Sequence, residues 1–245
     1  MKKITLPLLC LAAFAVGSAY AREPAFVSPD QIHAERILRT PPANDSAATK
    51  AELAVLHRIE SSRTKAQAEQ AKADEQLETM FVYKNVLGEK FTPANLPVTA
   101  AFADRVKNDE AVNGAPAKDT FQRMRPYNVD KTLNPVCKTK TKNDSYPSGH
   151  STAGYLGALV LIEMVPEKRD AILTRADEYA HNRLVCGVHY PSDIEASKVV
   201  AYSVHAVMAN NPQYRKEMGA ARTELRQALG LPPIDGSSKP LGNAP

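Results

Sequence analysis

The sequence lacks a strong excess of either charge. It contains 31 Lys and Arg residues against 27 Asp and Glu residues, for a formal net charge of +4. Removal of residues 1–21 would take away Lys2 and Lys3 and no acidic residue, leaving a net charge of +2. So weak a balance does not favour nucleic acid or an anionic membrane surface as a partner.

Long apolar runs are also missing beyond the first 21 residues. There the longest run extends from Tyr155 to Val165, about half of the roughly 20 residues that a bilayer span needs. It therefore predicts a buried helix. Residues 1–21 combine two lysines, an apolar stretch and the small-x-small sequence Ala19-Tyr20-Ala21. This pattern predicts a signal peptide cleaved after Ala21, and hence export: to the periplasm if the cell has an outer membrane, and otherwise out of the cell.

Cysteines are few, and their spacing does not suit a metal. The chain has three, of which Cys10 lies in the predicted signal peptide, and it has no Cys-x-x-Cys or His-x-x-x-His pair. A zinc site is therefore not expected. The even number left in an exported protein favours a disulfide between Cys137 and Cys186, with two separate buried thiols as the alternative.

Internal repeats and the alternating pattern of strands are absent as well, whereas helical periodicity recurs. The sequence predicts one all-α domain over residues 45–230. Before it we expect an extended arm at residues 22–44, and after it a disordered Pro/Gly/Ser-rich tail at residues 231–245. Within the domain we expect a second helix that stops near Gly88, then short helices and turns over residues 89–117. A final helix is predicted to place Tyr214, Met218, Ala221, Leu225 and Leu229 on one face and to end at Gly230.

Three polar clusters remain that helical packing does not explain. The first is KDTFQRMRPY, in which Lys118 and Arg125 are seven residues apart. This spacing predicts that both project from one face of a helix that Pro126 ends, and two cations there suit an anion. The alternative is an ordinary solvated basic face.

The second cluster is the sequence YPSGHS, which opens the apolar run. Ser148 and Gly149 offer a hydroxyl and unpaired backbone N–H groups where a helix begins, which is a favourable site for phosphate. His150 would point into the same space. A serine cap followed by an incidental histidine is the competing interpretation.

The third cluster is HNRLVCGVHYPSD. Pro191 is suited to the first position of a helix, so His189 should precede that helix and Asp193 should lie in its first turn. A carboxylate at that position can accept an N–H from the imidazole and leave the other nitrogen as a nucleophile. Arg183 offers a planar fork to phosphate oxygens.

Taken in order, the patterns Lys-x6-Arg-Pro, Pro-Ser-Gly-His and Arg-x5-His-x3-Asp resemble the signature of the type 2 phosphatidic acid phosphatase superfamily. They span residues 118–193. The helical pattern around them, together with KFTPANLPVT and VCGVHYPSD, resembles the bacterial class A non-specific acid phosphatases. The resemblance implies an all-α fold of the acid phosphatase and vanadium haloperoxidase type.

The resemblance also implies a mechanism without metal or cofactor. His189 would attack phosphorus, Asp193 would orient it, and His150 would give a proton to the leaving oxygen. The phosphoryl oxygens would be held by Lys118, Arg125 and Arg183, by the backbone at Ser148 and Gly149, and by Asn182. Asn182 departs from the family pattern, which usually has serine there, so its contact should survive in altered form. Requiring a protonated His150 and a neutral His189 predicts a bell-shaped pH–rate profile centred on the acid side of neutral.

The implied substrates are small phosphomonoesters, with phosphate or vanadate as inhibitors and phosphoryl transfer to alcohols as a further activity. A homo-oligomer fits the resemblance, although the sequence leaves the assembly state open. Three other functions are alternatives: a vanadium haloperoxidase, a lipid phosphate phosphatase and a non-catalytic phosphate-binding protein. The first usually has a much longer chain, the second is built from membrane-spanning helices, and the third would leave His150 and His189 without a use.

Overall fold

The computed structural model describes residues 22–137, 139 and 141–234. The predicted signal peptide of residues 1–21 and residues 235–245 of the predicted tail lie outside the described residues. Over the described ranges the regular secondary structure is helical, which confirms the predicted fold class. The α-helices are α1 Pro29–Ile32, α2 Ala34–Ile37, α3 Ala47–Ser62, α4 Lys65–Glu75, α5 Lys84–Leu87, α6 Pro97–Phe121, α7 Pro126–Val129, α8 Gly149–Met164, α9 Arg169–Val185, α10 Pro191–Met208 and α11 Pro212–Leu229.

Helix α8 forms the centre of the bundle, where it contacts α6, α9, α10 and α11. Its sequence is apolar on nearly every side, as expected for a helix surrounded by others. Close packing requires a glycine at position 154, where a Cβ atom would lie 2.7 Å from Cδ1 of Tyr179. The site residues at the start of α8 are therefore anchored on a helix that packs against four others.

The short helices and turns predicted for residues 89–117 are wrong, because α6 runs unbroken from Pro97 to Phe121. Pro97 occupies the first turn, where proline is tolerated, whereas Pro116 lies inside the helix. Buried Phe102 and Val106 fix α6 to the core. Tertiary packing thus outweighs the turn-like sequence VNGAP, and the long helix carries Lys118 to the centre of the molecule.

The predicted continuous helix to Gly88 is also wrong. Helix α4 ends at Glu75, and a 3-10 turn, Met80–Tyr83, precedes α5. All four residues of that turn are buried. One face of an α-helix cannot bury four consecutive residues, so the chain changes its conformation there.

Lys118 and Arg125 do not share a helix face as predicted. Helix α6 ends at Phe121, and Gln122 adopts a left-handed conformation with φ of 43°. Pro126 begins α7 rather than ending α6. The two cations therefore reach the same site from a helix end and from the loop that follows it.

The segment expected to be an extended arm contains α1 and α2 and packs against α6. The buried Asp109 carboxylate accepts backbone N–H groups from Ala25, Phe26 and Val27 at 2.5, 2.8 and 2.8 Å. At the other end, α11 buries Tyr214, Met218, Ala221 and Leu225 and stops at Gly230, with φ of 68°. No helix among the described residues combines the length and apolarity needed to cross a bilayer.

Candidate active site

A cavity of about 390 Å³ opens at the N-terminus of α8. It brings together residues from all three sequence clusters, which are separated by up to 71 positions in the chain. Both predicted catalytic histidines line it. The lining residues are Glu75, Gln76, Glu78, Lys118, Arg125, Thr139, Asp144, Gly149, His150, Arg183 and His189.

His189 precedes α10 and is fixed through both ring nitrogens. Its Nδ1 lies 2.8 Å from the Ser145 carbonyl oxygen and 3.3 Å from Oδ2 of Asp193, and both atoms accept hydrogen bonds. Its Nε2 lies 2.9 Å from Nη1 of Arg125, which can only donate. These partners place the proton on Nδ1 and a lone pair on Nε2. Burial, followed by the charge of Arg125, holds the pKa of His189 well below its ordinary value, which favours the neutral ring.

Asp193 lies fully buried in the first turn of α10, as predicted. It contacts several groups in addition to His189. It accepts hydrogen bonds from Nη1 of Arg123 at 2.7 Å, the Ser145 hydroxyl at 2.6 Å and the Tyr190 backbone at 2.8 Å. Burial raises the pKa of Asp193, and the Arg123 guanidinium opposes that rise. Donors on every side hold the carboxylate in one position against His189.

Arg123 is a residue that our sequence reasoning missed. Its guanidinium pairs with Asp193 and with Oε2 of Glu52, both at 2.7 Å, and lies 3.8 Å from the centre of the Tyr190 ring. The available signal was a third cation in KDTFQRMRPY. Sequence spacing does not distinguish a cation that faces the carboxylate behind the histidine from one that faces the cavity.

His150 occupies the second position of α8, where the Ser148 hydroxyl caps the helix by accepting the Ser151 N–H. Its Nε2 lies 2.9 Å from the Glu75 carbonyl oxygen, and its Nδ1 lies 3.4 Å from Oε1 of Glu78. Burial, and then the charge of Arg183, lowers the pKa of His150 to about 4. A bound anion would oppose that depression.

Three cations line the cavity. The Lys118 ammonium donates to the carbonyl oxygens of Asp144 and Pro147 at 2.8 and 2.5 Å. Arg125 donates from Nε to Oδ1 of Asp144 at 2.9 Å. Arg183 is 1% exposed, and its Nε has no hydrogen-bond partner within the described part of the chain. Together with the start of α8 at Gly149, these groups offer the positive charge and N–H donors that an anion would need.

Two residues predicted to contact phosphate do not line the cavity. The Asn182 amide donates to Oδ2 of Asp74 at 2.7 Å, since α9 directs it toward α4. The Ser148 hydroxyl is buried and is used as the helix cap. Sequence analysis also missed Ser145 and the carboxylates at the cavity.

Cys137 and Cys186 form a disulfide. Cys186 follows Arg183 by three residues in the chain.

Comparison with known proteins agrees with this geometry. The model of the PAP2 superfamily matches residues 100–217, which include all three clusters. The non-specific acid phosphatase of Providencia stuartii is 29% identical over 246 residues, covering 92% of this chain and 98% of its own. That of Salmonella typhimurium is 32% identical over 219 residues, covering 84% and 86%. The acid phosphatase of Zymomonas mobilis is 35% identical over 151 residues, covering 60% and 56%.

Among solved structures, a transmembrane PAP2-type phosphatidylglycerolphosphate phosphatase from Bacillus subtilis aligns with 74% of this chain and 94% of its own, at 15% identity and a TM-score of 0.49. The identity with the Salmonella enzyme over most of both chains defines the class: this chain belongs to the PAP2 superfamily. Within it, the chain belongs to the bacterial non-specific acid phosphatases, as the sequence predicts.

Proposed function

We propose that this acid phosphatase hydrolyses small phosphomonoesters in the cavity between His150 and His189, through a phosphohistidine on Nε2 of His189. The observation that carries the proposal is the set of partners around His189. The Nε2 lone pair accepts from Nη1 of Arg125, a cavity residue that would turn to the phosphoryl oxygens, while the Ser145 carbonyl and Asp193 retain the proton on Nδ1. This is the arrangement that an uncharged imidazole nucleophile needs.

In the first half of the reaction, the Nε2 lone pair attacks phosphorus as the bond to the ester oxygen breaks. The His150 imidazolium gives its proton to the departing oxygen, so an alcohol leaves. In the second half, water attacks phosphorus while neutral His150 takes a proton from it. The bond from phosphorus to Nε2 then breaks, which restores His189 and releases phosphate.

The cations at the cavity supply the charge that this reaction needs. Lys118, Arg125 and Arg183 would hold the non-bridging oxygens, with the backbone at Gly149 contributing the positive end of the α8 dipole. We therefore propose that hydrolysis needs no metal ion. Ser148 contributes by capping α8, and Asn182 is not assigned a phosphate contact.

We propose two further properties, of which the first follows from the phosphoenzyme and the second from the cations at the cavity. An alcohol that replaces water in the second step would accept the phosphoryl group, which is phosphotransferase activity. Phosphate and vanadate would inhibit by occupying the site of the cations. Exported through the predicted signal peptide, the protein would act in the periplasm.

Leaving-group dependence tests this assignment. An aryl phosphate needs little help from an acid because its leaving group is stable as an anion, whereas an alkyl phosphate needs a proton. His150→Ala should therefore slow alkyl phosphate hydrolysis more than aryl phosphate hydrolysis, each measured in the presence of a chelator. Equal slowing of both substrates would contradict the role of His150. Loss of wild-type activity on chelation would contradict metal independence.

A further inference from the structure

Glu78 is a cavity residue that the reaction above does not use. It lies between α4 and the turn at Met80–Tyr83, and its side chain is 30% exposed. Its Oε1 is 3.4 Å from Nδ1 of His150, and its Oε2 is 3.3 Å from Nζ of Lys107 on α6. The carboxylate thus contacts the proton donor directly.

The orientation of the His150 ring makes this contact specific. The Glu75 carbonyl oxygen lies 2.9 Å from Nε2 and can only accept, so Nε2 carries a hydrogen in the neutral ring and in the imidazolium. The proton gained on ionisation must therefore sit on Nδ1. That is the proton available to a leaving group, and Nδ1 is the nitrogen that Glu78 faces.

The absence of a side chain at position 149 allows the carboxylate to approach. A Cβ atom there would lie 3.3 Å from Oε1 of Glu78 and 3.5 Å from Oε1 of Glu110. The first distance is tighter than ordinary van der Waals contact, so a larger residue would displace the Glu78 carboxylate by a few tenths of an ångström. Gly149 therefore serves the contact to His150 in addition to the phosphate site.

We propose that Glu78 is the positioning residue for the proton donor of this phosphatase: its carboxylate accepts the Nδ1–H of His150, holds it at the cavity and favours the imidazolium. The inference rests on the proposed function, since it assumes that His150 is the acid. When a leaving-group oxygen takes the proton, Glu78 keeps its ion pair with Lys107.

The other charged groups around His150 define what Glu78 must oppose. Arg183 of α9 and Lys107 of α6 both disfavour the imidazolium. The Glu75 carboxylate faces Arg183, with Oε1 3.6 Å from Nη2. Buried Glu110 of α6 has its pKa raised to about 8 by burial and by Glu78, so it is neutral in acid. Glu78 is thus the carboxylate whose charge acts on His150.

The test is the pH dependence of kcat in Glu78→Gln, which removes the charge and keeps the size. Loss of activity as pH rises reports deprotonation of His150, and removal of a negative charge makes that deprotonation easier. At 3.4 Å, Coulomb's law with the dielectric constant of water already gives an attraction equivalent to a pKa shift of about one unit. We expect this alkaline limb to move down by about one unit, with about tenfold lower activity on that limb.

Two companion variants test the direction of the shift in the alkaline limb and its dependence on the charge of Glu78. Lys107→Met removes a cation that disfavours the imidazolium, so the limb should move up. Glu78→Asp keeps the charge, so its alkaline limb should lie closer to that of the wild type than the limb of Glu78→Gln does. As a matched control, Glu89→Gln removes a 91% exposed carboxylate paired with Lys84, and its profile should match wild type.

A wild-type alkaline limb in Glu78→Gln would overturn the proposal, as would shifts of the same sign in Glu78→Gln and Lys107→Met. Melting temperatures near wild type would establish that each variant is folded. Failure of the proposed function is distinguishable, because it would appear in the wild-type enzyme as the absence of a phosphoenzyme. A phosphoenzyme with an unmoved limb would refute the role of Glu78 alone.

Discussion

Replacing Arg123 by methionine should destabilise the protein strongly, because the guanidinium compensates buried charge. The side chains of Arg123 and Asp193 are 1% and 0% exposed, and their atoms approach to 2.7 Å. A second carboxylate, Glu52, lies at the same distance from Arg123 and is 14% exposed. Methionine fills much of the volume but leaves Asp193 without its cation.

The size of the effect follows from the cost of an unpaired buried charge. Breaking a buried pair by removing one partner costs about 3–5 kcal/mol. Loss of the stacking between Arg123 and the Tyr190 ring would add to this. For a chain of 245 residues, about 4 kcal/mol corresponds to a fall in Tm of roughly 10 °C. The exposed pair of Lys84 and Glu89 should be worth less than about 1 kcal/mol.

Urea unfolding of a double-mutant cycle gives the decisive assay. Arg123→Met is compared in the wild-type background and in an Asp193→Asn background, with Lys84→Met as the surface control. If Arg123 acts by compensating Asp193, its removal should cost about 2 kcal/mol less once Asp193 is uncharged. A loss of less than about 1 kcal/mol in Arg123→Met, or the same loss in both backgrounds, would refute this role of Arg123.

Three further outcomes are expected. Replacing Cys137 and Cys186 by serine opens a link across 49 residues, so loop entropy predicts up to about 4 kcal/mol of lost stability in urea unfolding; no change would contradict it. Because a bound phosphoryl dianion favours the imidazolium, the pKa of His150, about 4 in the free enzyme, should rise in the complex. The alkaline limb of kcat should then lie above that of kcat/KM, and coincident limbs would refute this. Gly154→Ala drives a methyl group against Tyr179 and should cost about 1–3 kcal/mol by thermal melting.

The sequence was sufficient to predict helices whose apolar pattern agrees with their final surroundings. The central run from Tyr155 was correctly predicted to be buried, and the face of α11 with its end at Gly230 was also predicted. The prediction failed where tertiary packing outweighs local signals. Pro116 lies inside a 25-residue helix, and four consecutive buried residues interrupt a predicted helix at Met80–Tyr83.

For the site, short motifs indicated which residues come together but not every direction in which side chains point. Six predicted residues line the cavity, including His150 and His189. Asn182 donates to Asp74 of α4, because α9 directs its side chain toward that helix. Arg123, Ser145 and Glu78 were missed because their roles depend on contacts between distant segments. Such contacts leave no signature in the spacing of a single sequence.

The central claim is that Nε2 of His189 becomes covalently bound to phosphorus. The most direct measurement is an acid quench during turnover of a substrate with labelled phosphate, followed by a test of the label's stability in acid and base. A phosphohistidine should be labile in acid and stable in base, should be trapped in wild type and in His150→Ala, and should be absent in His189→Ala. Label retained in His189→Ala, or a bond stable in acid and labile in base, would contradict the account.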